Sequence, residues 1–107
     1  MKDALERMLA KGRDDALLRF SLGNAYLYEG DALCAASHFE AAVRHNPDYS
    51  AAWKLLGKAY AQASNFDQAE QAYKNGIASA TRNGDLQAVK EMTVFARRVS
   101  RLKQAPS

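Results

Sequence analysis

Apolar and polar residues recur along residues 50–80 with the period of a helix. Trp53, Leu56 and Tyr60 follow one another at three- and four-residue intervals, so they share one helix face, and Ala69 lies four residues before Tyr73 on the next. Abundant alanine, with only two prolines in the chain, also favours helices. We therefore predict an all-α protein with helices at about residues 3–11, 15–29, 32–45, 48–63, 65–80 and 85–103.

The segment is repeated at an interval of 34 residues. Counting back by that interval reaches an identical or similar residue at six positions in one register: Leu56 and Leu22, Gly57 and Gly23, Ala59 and Ala25, Tyr60 and Tyr26, Ala69 and Ala35, Tyr73 and Phe39. These are positions that helix packing requires, because a small residue beside a large one lets neighbouring helices interlock. The chain therefore contains a repeated helix–turn–helix unit.

The first helix of the second copy reads Trp53-Lys54-Leu55-Leu56-Gly57-Lys58-Ala59-Tyr60, or W-x-x-L-G-x-x-Y. In this the chain resembles the tetratricopeptide repeat family over about residues 14–81. The resemblance implies a right-handed α-α superhelix and a non-enzymatic protein–protein interaction module, or adaptor. We expect one domain, comprising an N-terminal capping helix (1–13), repeat one (14–48), repeat two (49–82), a C-terminal solvating helix (85–103) and a tail (104–107).

Two positions depart from the repeat. Arg19 stands where Trp53 predicts an aromatic residue, and Gly76 stands where the first copy has Ala42. Glycine inside a helix costs about 1 kcal/mol relative to alanine. We therefore expect the end of the second copy to be its weakest part.

The last predicted helix fits the repeat only after an insertion. A strict 34-residue step would place Lys90 and Glu91 in the core, whereas a shift of two residues places Met92 there instead. We infer a two-residue insertion in the loop 81–85, in which Gly84 provides the turn and Asp85 the next N-cap. The helix then behaves as the first helix of an incomplete third repeat that closes the stack.

Length and composition limit the class of protein. The chain has 107 residues, of which 48% are hydrophobic and 25% are charged, which are ordinary values for one globular domain. No apolar run approaches the roughly 20 residues of a membrane span, and the N-terminus is charged and amphipathic rather than a secretory signal. The single cysteine, Cys34, fits a reducing compartment. We expect a cytoplasmic protein that makes no use of a membrane.

The positive charge is concentrated at one end. The net charge is +3, but Arg97, Arg98, Arg101 and Lys103 carry +4 with no acidic residue among positions 97–107, which leaves −1 for the remainder. Such asymmetry suggests an acidic partner. The alternative is a solvated helix end, where cations also interact favourably with the helix dipole.

The resemblance implies that the first helices line a concave groove that binds a peptide. The groove positions carried over from the family run from an apolar, aromatic entrance to five cations, and they include Leu17, Phe20, Asn24, Leu27, Tyr28, Lys54, Lys58, Gln62, Lys90, Val94, Arg97 and Arg98. Our hypothesis is that the groove binds an acidic or C-terminal carboxylate-bearing segment, with its apolar anchor against Phe20 and Tyr28. The competing interpretation is that the lysines are merely solvated and that Phe20 and Leu27 pack on the N-terminal helix.

Other functions find less support in the residues. The carboxylate clamp of chaperone-binding family members is matched at Asn24 alone, so we do not expect recognition of chaperone tails. Cys34, His38 and His45 lack the spacing of a catalytic or zinc site, and we predict no catalysis, cofactor or metal. Two alternatives remain open. One is a homodimer that pairs exposed groove residues, and the other is weak nucleic-acid binding through the basic last helix, where Phe95 offers the sole ring for stacking.

Overall fold

The computed structural model describes residues 1–105, and within that range it contains six α-helices and no strand. The helices are α1 (Lys2–Ala10), α2 (Ala16–Tyr28), α3 (Ala32–His45), α4 (Ser50–Gln62), α5 (Phe66–Arg82) and α6 (Leu86–Gln104). Every boundary lies within two residues of its predicted position. The prediction of an all-α protein is therefore confirmed. Of the predicted tail 104–107, the last two residues lie outside the described range. No helix within the described range is both long enough and apolar enough to cross a membrane.

Aspartates begin three of the helices. The side chains of Asp15 and Asp85 each accept a hydrogen bond from the backbone three residues on, at 2.8 Å and 3.1 Å, and Asp31 does the same for α3 at 3.2 Å. These bonds satisfy amides that the first turn of a helix leaves without partners. Gly84, which precedes Asp85, has a φ of +71°, a left-handed conformation that favours glycine. The predicted turn and N-cap before α6 are thus confirmed.

The helices form a stack of hairpins. α2 packs on α3 and α4 packs on α5, while α3 contacts α4 and α5 contacts α6, so each helix lies against its neighbours in the chain. α2, α4 and α6, the first helices of the three units, also contact one another in that order. α1 packs on α2. One side of the stack is consequently formed by α2, α4 and α6.

Glycine at the centre of α2 and of α4 permits close approach of the partner helix. A Cβ atom added to Gly23 would overlap the ring of Phe39, and one added to Gly57 would overlap the ring of Tyr73. Both rings are buried, so each lies directly against the backbone of the helix before it. The pairing of glycine with a large side chain that the repeat predicts is confirmed.

Gly76 also permits a close contact between helices, in this case with residues of both α4 and α6. An added Cβ there would lie 2.8 Å from the Cβ of Trp53 and would also overlap the Sδ of Met92. Gly76 is buried where α5 meets both α4 and α6. The loss of helix propensity at this position is therefore linked to a close contact among three helices.

In the first copy, Arg19 stands where the second copy has Trp53, and it forms an ion pair. Its guanidinium donates two hydrogen bonds to the carboxylate of Asp14, at 2.8 Å and 3.0 Å, and a nitrogen of the same group lies 3.1 Å from Nδ1 of His38. In the second copy, Trp53 is half-buried, and its indole N–H donates to the backbone oxygen of Pro47 at 2.8 Å. Each residue thus ties its helix to the segment that precedes it.

The burial of α6 confirms the two-residue insertion. Ala88, Met92 and Val99 are buried, with Met92 at 0% exposure, whereas Leu86, Lys90 and Val94 are exposed. A strict 34-residue step would have buried the second set. α6 therefore packs on the stack in the same way as α4, two residues later in the repeat.

Candidate functional site

The side chains on the concave side of the stack fall into two rows. The first, which we call the groove row, consists of Tyr28, Gln62 and Arg98, which occupy the same repeat position on α2, α4 and α6. All three are exposed, and Tyr28 is 94% exposed. These side chains are free to contact a ligand that lies across the three helices.

The second row, which we call the stack row, consists of Phe20, Lys54 and Lys90 and faces the next first helix. The ring of Phe20 stacks on Tyr49, which precedes α4, with ring centroids 4.8 Å apart. Lys54 lies 3.7 Å from the carboxylate of Glu91 on α6. Lys90 is exposed, and in the described part of the chain no further first helix packs on it.

A pocket opens on the groove row between α4 and α6. Its volume is about 310 Å³, and its lining comes from α2, α4, α5 and α6: Leu27, Leu55, Lys58, Ala61, Gln62, Tyr73, Phe95, Arg98, Val99 and Leu102. Most of this lining is apolar, and the polar groups are cationic, amide or phenolic. We call it the groove pocket. It brings together four of the residues that the resemblance predicts, namely Leu27, Lys58, Gln62 and Arg98.

Two cations flank the ring of Phe95 in the groove pocket. Nζ of Lys58 lies 5.2 Å from the ring centroid and Cζ of Arg98 lies 5.7 Å from it. Both distances are within the range of a cation–π interaction. Within residues 1–105, neither cation forms an ion pair. Their positive charge is therefore available to an anionic ligand group placed beside the aromatic ring.

Tyr73 contributes a neutral hydroxyl to the pocket lining. Burial raises the pKa of Tyr73 to about 12, although the charge of Arg98 acts in the opposite direction. The phenol therefore stays protonated at neutral pH. Its ring also packs against Phe95, with centroids 5.8 Å apart. The pocket thus combines a rigid aromatic wall with charge of one sign.

The remaining predicted groove residues lie outside this pocket. Asn24 and Tyr28 border an open depression of about 620 Å³ between α2 and the N-terminus, and the Asn24 amide donates to the backbone oxygen of Phe20 at 3.2 Å. Leu17 is 60% exposed on the first turn of α2. Val94, Lys90 and Arg97 are exposed on α6 but do not line the groove pocket.

The structure corrects one detail of the predicted anchor. Phe20 does not project into the groove, because its ring stacks on Tyr49 and meets the edge of Phe39 at a centroid distance of 5.8 Å. The competing interpretation correctly predicted that Phe20 packs within the domain, but the packing partners belong to α3 and to the start of the second repeat. The groove pocket is lined by the ring of Phe95 and not by that of Phe20.

Comparison with known proteins identifies the fold. A sequence model of the tetratricopeptide repeat matches residues 20–85. The chain belongs to the tetratricopeptide repeat family. A TPR repeat-containing protein of Pseudomonas aeruginosa is 53% identical over 103 residues, which covers 96% of this chain and 98% of that one.

Two solved structures are similar to this tetratricopeptide repeat protein. A solution structure of a protein from Bordetella parapertussis has a TM-score of 0.80 at 44% identity, covering 94% of this chain and 88% of that one. A tetratricopeptide repeat domain protein from Salinibacter ruber has a TM-score of 0.77 at 27% identity, covering 87% and 94%. The predicted right-handed α-α superhelix is therefore confirmed. Domains of this family generally mediate protein–protein interaction and are typically not enzymes.

Several pocket residues of this tetratricopeptide repeat protein were missed by the sequence prediction. Leu55, Phe95 and Leu102 line the pocket, yet the family positions do not include them. Phe95 occupies the position of Ala59 after the two-residue shift, so the repeat assigns it to a small, buried site. Two signals in the sequence point to it, namely a large ring in place of a small residue and the position of that ring beside the arginines of the last helix.

The two histidines contact charged side chains, and the cysteine is exposed. His38 lies beside Arg19, and burial together with that guanidinium lowers the pKa of His38 below its usual value. Nε2 of His45 lies 2.9 Å from the carboxylate of Asp14, and hydrogen bonds from Arg19 and His45 hold the pKa of Asp14 well below its usual range. Cys34 is exposed. Among the described residues, no three His, Cys, Asp or Glu side chains are grouped so as to hold a metal ion.

Proposed function

We propose that this protein is an adaptor that binds a short segment of a partner protein in the groove pocket. The segment carries a carboxylate, from an acidic side chain or a C-terminus, next to an apolar side chain. The observation that carries the proposal is that Lys58 and Arg98 both lie near the ring of Phe95 in a largely apolar pocket.

Electrostatics supports an anionic ligand group. A carboxylate between the two cations would accept charge-assisted hydrogen bonds, which are roughly twice as strong as neutral ones. The pocket lining contains no carboxylate that would repel it. Lysine and arginine without acidic partners also favour the association rate, because complementary charge steers an approaching segment. A carboxylate-bearing segment therefore fits better than a neutral or basic one.

The apolar part of the pocket sets the second requirement. Leu55, Phe95 and Leu102 offer a surface that gains stability when an apolar side chain excludes water from it, at about 25 cal/mol per Å² of apolar area buried. A volume of about 310 Å³ accommodates one large side chain and the adjoining backbone rather than a folded element. We therefore expect an extended segment with one apolar anchor.

The test uses a matched pair of charge reversals. Lys58→Glu with Arg98→Glu reverses the pocket, while Lys11→Glu with Lys74→Glu makes the same charge change at exposed positions away from it. The probe is a fluorescent peptide of about six residues composed of aspartate and leucine with a free C-terminus. Anisotropy should show at least a tenfold (~1.4 kcal/mol) loss of affinity for the first variant and a change within about twofold for the second.

Three results would contradict the proposal. Equal loss in both variants would mean that the probe responds to net charge alone. Tighter binding of an oligonucleotide than of the peptide, lost in the pocket variant, would favour the nucleic-acid alternative. Concentration-dependent sedimentation that the pocket variant abolishes would favour the homodimer.

A cytoplasmic location completes the proposal, since the exposed free thiol of Cys34 suits a reducing compartment.

A further inference from the structure

The outer side of α6 presents cations and apolar side chains on one helix face. Leu86, Lys90, Val94, Arg97 and Arg101 follow one another at intervals of three or four residues, which places them on the same side of the helix. All five are exposed, with Leu86 at 70% and Val94 at 49%. We call this surface the α6 end face. It lies at the end of the stack, away from the groove pocket.

At the position that Lys90 occupies, each inner first helix is covered by the repeat that follows it. On α2, Phe20 is covered by Tyr49 at the start of the second repeat, and on α4, Lys54 pairs with Glu91 of α6. Lys90 follows these two in the stack row, and no helix among residues 1–105 covers it. The α6 end face is therefore the position at which a further first helix would pack.

The carboxylates of the chain are already engaged elsewhere. Seven of its 12 acidic residues form ion pairs: Asp14, Asp15, Glu29, Asp48, Asp67, Glu70 and Glu91. Two more, Glu6 and Glu40, accept hydrogen bonds from tyrosine hydroxyls. Another two cap helices, which leaves Asp3. Across residues 1–105, Lys90, Arg97 and Arg101 have no ion pair. Within residues 1–105 no carboxylate neutralises the cations of the α6 end face, so they are available to the carboxylates of another molecule.

The helix dipole does not account for these cations. Favourable interaction with the dipole is confined to the last turn, where Arg101 and Lys103 lie. Lys90 lies in the second turn of α6, close to the positive end of the dipole, and Arg97 lies in the middle of the helix. Two of the three cations thus occupy positions that helix stability alone does not favour.

We propose that the α6 end face binds an acidic amphipathic helix of a partner protein, which lies along α6 as α6 lies along α4. Its carboxylates face Lys90, Arg97 and Arg101, and its apolar side chains cover Leu86 and Val94. The Lys54–Glu91 pair is the internal precedent for a cation matched by a carboxylate across this type of contact. A second copy of this chain is a poorer occupant, because its carboxylates are engaged. The proposal does not rest on the groove pocket.

The probe is a synthetic, capped helical peptide of about 19 residues, the length of α6, with glutamates and leucines on one face. A second peptide of the same composition has these residues scattered around the helix. Lys90→Glu, Arg97→Glu and Arg101→Glu are combined in one variant of the full chain, and Lys58→Glu with Arg98→Glu serves as the matched control. Far-UV circular dichroism checks that each variant retains its helices.

We expect the triple variant to lose at least about tenfold in affinity for the patterned peptide, since three attractions become repulsions. The groove variant should stay within about twofold, and the scattered peptide should bind at least about tenfold more weakly than the patterned one. Equal losses in both variants, or equal binding of both peptides, would overturn the proposal. If phosphatidylserine vesicles or single-stranded DNA bind more tightly than the patterned peptide through the same three residues, the α6 end face binds lipid or nucleic acid instead. If the protein self-associates and the triple variant does not, the face binds a second copy of this chain.

Discussion

Replacement of Gly76 by alanine tests whether packing or helix propensity decides this position. Gly76 is buried within α5, and an added Cβ would lie 2.8 Å from the Cβ of Trp53 and would overlap Met92. The terminal atoms of Met92 can rotate away. The Cβ of Trp53 is attached directly to the backbone of α4, so relief of that contact requires α4 and α5 to separate.

Two free energies of opposite sign compete. Alanine in the interior of a helix is favoured over glycine by about 1 kcal/mol. Overpacking of a close-packed core costs typically about 1–3 kcal/mol. Because the contact with Trp53 is made by an atom that cannot rotate away, we expect the upper half of that range. The net effect of Gly76→Ala is then a loss of about 1–2 kcal/mol in the free energy of unfolding.

Urea denaturation monitored by circular dichroism measures this change. Ala78→Gly is the matched control, because Ala78 is exposed on the same helix two residues away. It should lose about 1 kcal/mol through helix propensity alone. If Gly76→Ala instead stabilises the protein by a similar amount, the close contact is not limiting and the original expectation of a weak helix end is restored.

Two further predictions concern pH. Asp14→Asn should lower the melting temperature above pH 3.8, the usual carboxyl pKa. Hydrogen bonds from Arg19 and His45 depress the pKa of Asp14, so the stability that these bonds provide is lost as the pH falls below 3.8. The difference in melting temperature between variant and wild type should therefore shrink at low pH. Tyr73→Phe should reduce the loss of stability between pH 10 and about 12, because a raised phenol pKa means that the folded state retains a proton that the unfolded chain releases in that range. Thermal melts at stepped pH check both predictions, and parallel curves for wild type and variant would contradict either one.

The repeat in the sequence predicted the fold because each packing requirement is local. Gly57 and Tyr73 lie only sixteen residues apart, within one hairpin, so the spacing of a glycine and a ring already describes their contact. The same is true of Gly23 and Phe39. The caps at Asp15 and Asp85 involve amides only three residues away. Such short-range rules are readable in order along a single chain.

The candidate site was predicted only in part, because it depends on contacts between repeats. Family positions predict Lys58 and Arg98 on the groove, and both are exposed first-helix residues that line the groove pocket. They did not distinguish Phe20, which the next repeat covers, from residues that stay open. They also missed Phe95, whose equivalent on α4 is a buried alanine. Which side chains stay open depends on the neighbouring helix rather than on the helix that carries them.

The amino-acid sequence by itself determined the helices, their repeat and the register of the last one, since helix period and hairpin packing are set by residues close together in the chain. Tertiary structure alone decided that Gly76 lies in a contact among three helices, that Lys58 and Arg98 both lie near the ring of Phe95, and that no carboxylate of residues 1–105 pairs with Lys90, Arg97 or Arg101. These features arise where separate hairpins meet. Charge and steric fit across such contacts depend on distances in space, which the order of residues does not record.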